Sequence, residues 1–404
     1  MLGPRIRVAV LGGGFQGACV ALELAARGVR CDLYERHADC LAEASCHNHG
    51  KIHLGFGYAM DPTFETARLM ARGALGFERA LRRWLGSTAS LTSRASFAYA
   101  VHRDSMVDAH AFDAHCQKVS AFLHEASHGK GADYFGSDVL QTPDRMSRAE
   151  LNAEYERDVV PGAVRTPEIA IDPESLARLM RARLETEAAI TVLHGRTVTH
   201  LKPAKQGLSV QSAQDGAKSE EAYDFVVNTL GPGRFAMDAE LGLMPRQPWL
   251  YRFRYLLRAE ADPPQRLRST TIVAGPFGDI VSYGNGAVCL SWYPADMVAT
   301  SKDLTPPAMP AQIKGAKGID LRDKIVAGLK GVVPDIGRVK LAKVEIKGGW
   351  MAGWGGSDII DPRSELHRPF TVGVHRHGPY VSVDTGRLTL APLFAEQAVR
   401  LMEA

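Results

Sequence analysis

The chain has 404 residues, 45% of them hydrophobic and 23% charged, with a formal net charge of +3. That length exceeds one small core and suits two domains, and so small a charge, with bases interleaved with acids as in Glu78-Arg79-Ala80-Leu81-Arg82-Arg83, gives no reason to expect nucleic acid. The six cysteines (Cys19, Cys31, Cys40, Cys46, Cys116, Cys289) form no CxxC pair and no paired spacing, which argues against a disulfide scaffold and for reduced thiols in a cytoplasm.

Arg5 and Arg7 precede an apolar run, as in a signal peptide. Gly12, Gly13 and Gly14 interrupt that run, no A-x-A-like cleavage site follows, and Glu23 falls inside the continuing helix pattern. No stretch approaches the roughly 20 apolar residues that span a bilayer. The chain reads as cytoplasmic, without a transmembrane segment.

Ile6 to Leu11 is apolar and β-branched, the pattern of a buried strand ending at Gly12. From Phe15 to Arg27 small and apolar residues recur at helical spacing until Gly28, and Cys31 to Glu35 reads as a second strand. The turn between strand and helix, Gly12-Gly13-Gly14-Phe15-Gln16-Gly17, matches G-x-G-x-x-G. Gly12 permits the tight turn, Gly14 lets backbone approach a pyrophosphate, and Gly17 allows helix and strand to pack closely. The helix start offers unpaired N–H groups to phosphates, and Glu35 is placed to accept from ribose hydroxyls. A glycine turn that binds nothing is the bland alternative; strand, helix and terminal acid in register favour the cradle. By itself it does not separate NAD from FAD.

A loop rich in His and Gly follows, then helices over Phe64 to Leu85 and Ala109 to Glu125. Asp172-Pro173 starts another helix, to about Glu187, with Asp at N-cap and Pro at N1. Strands are expected at Ile190–Leu193, Thr197–Leu201, Leu208–Gln211 and 224–229. Between Pro248 and Lys347 long β-like runs suit an antiparallel sheet, interrupted by a proline-rich loop. The end brings a glycine-rich stretch (Gly348–Gly356), a strand at Tyr380–Val383 and a helix from Thr385 to about Met402.

Three segments resemble one family. His47-Asn48-His49-Gly50-Lys51-Ile52-His53-Leu54-Gly55-Phe56-Gly57-Tyr58 resembles the H-N-S-G-x-I-H-x-G-x-x-Y stretch of the L-2-hydroxyglutarate oxidase branch of the D-amino-acid-oxidase-type flavoproteins. Asp384-Thr385-Gly386-Arg387-Leu388-Thr389 is similar to the G-G-K-L-T segment of the glycerol-3-phosphate dehydrogenase branch, and Val226 to Gly231 to the strand and glycine turn that returns to FAD. His49 stands where the family has Ser, Lys51 where it has an apolar residue, Leu54 where it has Ala, and Arg387 where it has Lys.

The resemblance implies FAD as cofactor, with contacts from Gly12, Gly14, Phe15, Gln16, Gly17, Glu35, Arg36, Asn48, His49, Gly50, Lys51, Val198, Thr229, Gly231, Thr385, Gly386, Arg387, Leu388 and Thr389. It implies an α/β fold: a Rossmann-type FAD domain (1–90, 160–245 and 346–404) interleaved with an antiparallel-sheet substrate domain (91–159 and 246–345). It places the helix start at Thr385–Leu388 against the flavin pyrimidine, whose reduced form carries negative charge, and sets Lys51 near flavin N5.

The implied reaction removes hydride from a C–H bearing a hydroxyl or amine on a small anionic substrate. With no second GxGxxG, electrons are expected to pass to oxygen, a quinone or a carrier protein. His53 is the candidate base, or else a histidine that only hydrogen-bonds flavin or backbone. In Tyr251-Arg252-Phe253-Arg254-Tyr255 alternation puts both arginines on one strand face, where Arg254 suits an anion; an exposed charged face is the alternative. Arg376 is a further anion-binding candidate. The H-x-H-x3-H spacing of His47, His49 and His53 lacks a Cys or carboxylate to complete a metal site, so none is expected. Two other functions stand beside this one. A monooxygenase would bring a G-D motif, and Gly278-Asp279 instead has flanks like a β-turn; a flavin-binding protein without turnover is the other.

Overall fold

The computed structural model describes residues 6–91 and 97–404, so Arg5 lies outside them. Val8–Leu11, Phe15–Ala26 and Cys31–Tyr34 form the expected strand, helix and strand. These strands belong to a six-stranded sheet in the order Gly373–His377, Tyr380–Asp384, Phe225–Asn228, Val8–Leu11, Cys31–Tyr34, Ile190–Leu193. All pairings are parallel except that of the edge strand Gly373–His377. A parallel sheet is covered on both faces, which is why Val8–Leu11 is buried at every position. The carboxyl ends of four neighbouring strands run into Gly12, Glu35, Thr229 and Thr385. Segments far apart in the chain thus meet at one edge, where doubly wound sheets bind their ligands.

A nine-stranded sheet faces them. Its longest members, Trp249–Asp262 and Lys340–Trp354, pair antiparallel along nearly their full lengths. The remaining pairings are antiparallel except that between Thr270–Val273 and Phe97–Val101. Gly162–Thr166 belongs to this sheet, and residue 346 falls inside the Lys340–Trp354 strand, so the expected boundaries at 160 and 346 do not coincide with the sheets. The fold is mixed α/β, parallel and antiparallel sheets side by side.

Several local readings change. Gly348–Gly356 is mostly strand, because Trp249–Asp262 supplies partners that glycine-rich backbone alone does not advertise. Gly278–Ser282 is an inner strand and not a turn. The helix Gly315–Lys330 was hidden by three glycines that lower its propensity; Leu321, Ile325 and Leu329, spaced four apart, bury it. The terminal helix begins as a 3-10 turn at Leu388–Leu390 and continues as Ala391–Glu403, later than Thr385, because Gly386 is left-handed (φ +60°) and Arg387 extended. Among the described residues no helix is long and apolar enough to cross a membrane.

A short ribbon sits between the two large sheets, with Lys51–Ile52 antiparallel to Ile169–Ala170. Gly50 enters it at φ +63°, and a Cβ there would lie 1.8 Å from Ile171 O. Gly50→Ala combines a strained backbone with a clash against main chain, so it should destabilise the protein by about 1–3 kcal/mol. The urea midpoint measures this; an unchanged midpoint would contradict the tight seating.

Candidate active site

The cradle is set by close backbone approach. Gly12 turns at φ +97°, and a Cβ on Gly17 would sit 1.9 Å from Gly12 O, so helix and strand touch only because Gly17 has no side chain. Gly14 is the N-cap of the helix, which has neither a side-chain cap nor an acid in its first turn. Phe15 N donates to Ser45 Oγ (2.8 Å), while among the described residues the next amides have no side-chain acceptor, as a phosphate requires. Glu35 is buried, its carboxylate accepting from Gly13 N at 3.0 Å and His37 N at 2.8 Å.

Thr229 anchors the returning strand by donating to Leu11 O at 2.8 Å, and Gly231 turns away at φ +57°. Gln16 ties the two ends of the chain together: its Nε2 donates to Ala391 O (3.1 Å), and its Oε1 accepts from Thr385 Oγ1 (2.9 Å). Asn48 stabilises the loop by accepting from Gly50 N at 2.7 Å. Two expected cofactor residues stand further out. Arg36 is exposed and paired with Glu43 at 2.6 Å. Val198 lies in a separate three-stranded sheet, half-buried beside a cluster containing Tyr34 and Leu201.

The loop from His47 to Tyr58 fills the seam between the large sheets, and its charged side chains find partners on both sides. Lys51 reaches the inner strands of the nine-stranded sheet, donating to Thr271 Oγ1 at 2.6 Å and pairing closely with Asp279. Burial opposes the Asp279 charge, but Lys51 and His49 outweigh it and hold the carboxyl well below its ordinary range. His49 Nε2 lies 3.0 Å from Ser291 Oγ, and burial pushes this imidazole down to about 4. His47 Nδ1 meets Gly348 O at 2.8 Å. The three loop histidines therefore engage three different partners.

His53 is held from two sides. Its N–H donates to Thr389 Oγ1 at 2.9 Å, and its Nδ1 lies 3.1 Å from Glu168 Oε1. The Tyr58 ring packs edge-on at 5.4 Å, and Tyr58 OH accepts from Arg387 Nε at 3.3 Å. Among the described residues nothing bonds Nε2 of His53, whose side chain keeps 18% of its surface open.

Arg252 and Arg254, on the Trp249–Asp262 strand, differ sharply. Arg254 forks Asp296 with contacts of 2.6 and 2.8 Å and lies over the Tyr293 ring. Its anion is already supplied by the protein, which corrects its expected substrate role. Arg252 is 6% exposed, yet its Nη1 is 3.5 Å from Tyr293 OH and 3.6 Å from Asp358, and its Nε has no partner among the described residues. Burial pushes its pKa down. Arg252 and Arg387 line one cavity with Phe235, Trp354, Leu366 and Val372.

Arg376 is not brought to this place. It lies exposed on the edge strand, its Nε donating to Gly378 O at 2.9 Å and its Nη1 to Leu401 O, where it caps the terminal helix. Sequence reasoning passed over Glu168 and weighed Asp279 only as half of a Gly-Asp dipeptide. Each is a lone acid in an apolar run, Glu168-Ile169-Ala170-Ile171 and Asp279-Ile280-Val281, and that is the signal of a buried, partnered carboxylate.

The sequence pattern of the family DAO, FAD dependent oxidoreductase, matches residues 7–400. The FAD-dependent monooxygenase FPY4 of Fusarium mangiferae is 26% identical over 274 residues, 67% of this chain and 59% of that protein, so the chain spans less than two thirds of this relative's length. Glycine oxidase from Geobacillus kaustophilus has a similar structure, with a TM-score of 0.68 at 15% identity, covering 98% of this chain and 94% of that one. So has L-proline dehydrogenase from P. horikoshii, with a TM-score of 0.66 at 13% identity over 99% and 94%. At such identities the likeness speaks for the fold. With the sequence match and a cradle shaped for a dinucleotide, the chain belongs to the DAO family of FAD dependent oxidoreductases, and FAD is its cofactor.

Proposed function

We propose that this enzyme oxidises a small anionic molecule at a carbon bearing a hydroxyl or an amine, and that its nearest kin are the L-2-hydroxyglutarate oxidase and glycerol-3-phosphate dehydrogenase branch. One juxtaposition carries the reading. A histidine with a free Nε2 and an under-bonded buried guanidinium converge, through Tyr58 and Arg387, on the segment 384–389.

Bound FAD supplies the hydride acceptor. His53 takes the hydroxyl or amine proton at Nε2. Arg252 and Arg387 hold the substrate anion; a buried guanidinium with only long contacts is costly alone and gains most from a carboxylate or phosphate that completes it. The segment Thr385–Thr389 and Lys51 would hold the flavin ring, the backbone amides of the segment stabilising the negative charge of its reduced form. The FAD-binding unit is assigned to 1–90, 160–245 and 346–404, except that the strands Gly162–Thr166 and Lys340–Trp354 join the sheet of the substrate unit of 91–159 and 246–345. All six cysteines are free, which suits a cytoplasmic setting, with oxygen, a quinone or a carrier protein as electron acceptor.

The monooxygenase reading has one observation behind it, the name of the FPY4 relative. An anaerobic screen of hydroxy acids, amino acids and sugar phosphates separates the two. Bleaching of the flavin without a nicotinamide supports dehydrogenation, whereas NADPH-stimulated oxygen uptake with no such bleaching favours the alternative.

With a substrate in hand, His53→Ala should slow anaerobic flavin reduction by about 10²-fold or more and leave FAD bound; reduction at the unaltered rate would remove His53 from the base role. Arg252→Met should weaken binding of the anionic substrate by about tenfold or more, equivalent to loss of one charge-assisted contact. An unchanged substrate Kd in stopped-flow titrations would place the anion elsewhere.

A further inference from the structure

The base His53 does not stand alone. Its backbone leaves the short ribbon at Ile52, and Glu168 enters the facing strand just before Ile169; Ile52 and Ile169 are register partners in an antiparallel pair. The next position outward therefore sets residue 53 opposite residue 168. Glu168 is completely buried, with Oε1 3.1 Å from His53 Nδ1 and Oε2 accepting from Leu54 N at 2.8 Å; Tyr99 OH donates to Oε1 as well. Among the described residues His53 is its only ion-pair partner.

We propose that Glu168 is the positioning residue for His53, fixing the imidazole as the Nδ1–H tautomer with Nε2 as the proton acceptor. Two physical arguments support this. An ionised carboxylate only accepts hydrogen bonds, so a neutral imidazole facing it must carry its proton on Nδ1. Neutral donors alone compensate a buried carboxylate poorly, and the positive charge that His53 acquires on taking a proton arises beside Oε1. The pair is thus worth more once the proton has moved than before, which is the condition for an interaction to speed a step. Tyr99 and Leu54 keep the carboxylate aimed; Thr389, bonded to His53 N, keeps the ring beside the segment assigned to the flavin. No atom of Glu168 is open to substrate, so it acts through His53 alone.

The inference rests on the reading of His53 as the base, and its primary test does not need turnover. Long-range proton–nitrogen NMR of the 15N-histidine-labelled, oxidised holoenzyme, with His53 assigned by its absence in His53→Asn, should show Nδ1 protonated and Nε2 bare in the neutral ring. An Nε2–H tautomer would overturn the proposal outright. In Glu168→Gln the Nε2–H form should become populated, and the rate of anaerobic flavin reduction should fall at least about tenfold while substrate Kd and FAD content hold. Glu168→Asp, which keeps the charge, should recover part of that rate. Equal reduction rates in Glu168→Gln and the parent enzyme would sink the positioning role. If Glu168→Gln does not fold, the tautomer of the parent enzyme still decides. If His53→Ala reduces flavin normally, the base assignment fails, and the tautomer measurement tells separately whether Glu168 holds the ring.

Discussion

Polar and charged side chains buried between two sheets must find partners there, and the seam is organised around that requirement. The loop from His47 to Tyr58 carries three histidines and a lysine into a region closed on both sides. Each is met by a group from another element: Gly348 O, Ser291, Asp279 and Glu168. These contacts lock the loop against the nine-stranded sheet, while Thr389 and Gln16 lock the cradle to the end of the chain.

Within this network the satisfied and unsatisfied groups divide the labour. Arg254 with Asp296, and Lys51 with Asp279, are internally matched, and removing one partner would strand a charge in the interior. Their role is to join elements. Among the described residues Arg252 Nε and His53 Nε2 have no hydrogen-bond partner, and the remaining contacts of the Arg252 guanidinium, to Tyr293 and Asp358, are long. Two arginines separated by one residue on the same strand face thus have different surroundings, because Asp296, held by Trp292 N, forks Arg254 and not Arg252.

The cradle was legible because its chemistry is local. A turn that requires glycine, a helix start, and an acid at the end of the second strand lie within 35 consecutive residues, and spacing alone puts them together. The return strand, the terminal segment and the helices with regular apolar periodicity were legible for the same reason. The Gly315–Lys330 helix and the long Lys340–Trp354 strand were not: glycine weakens their local preference, and packing on the sheet or pairing with Trp249–Asp262 makes up the difference.

By itself the sequence determined the dinucleotide cradle, the α/β class and the loop that carries His53, since each rests on residues close in the chain. Only the tertiary structure decided that Glu168 faces His53 across 115 positions, that Asp279 neutralises Lys51, that Arg254 is forked by Asp296 while Arg252 has only long contacts, and that Arg376 lies on an outer edge. Those outcomes depend on strand register and on which sheet an element joins. Both are set by the burial of whole faces, a property spread over the entire chain and carried by no single stretch of it.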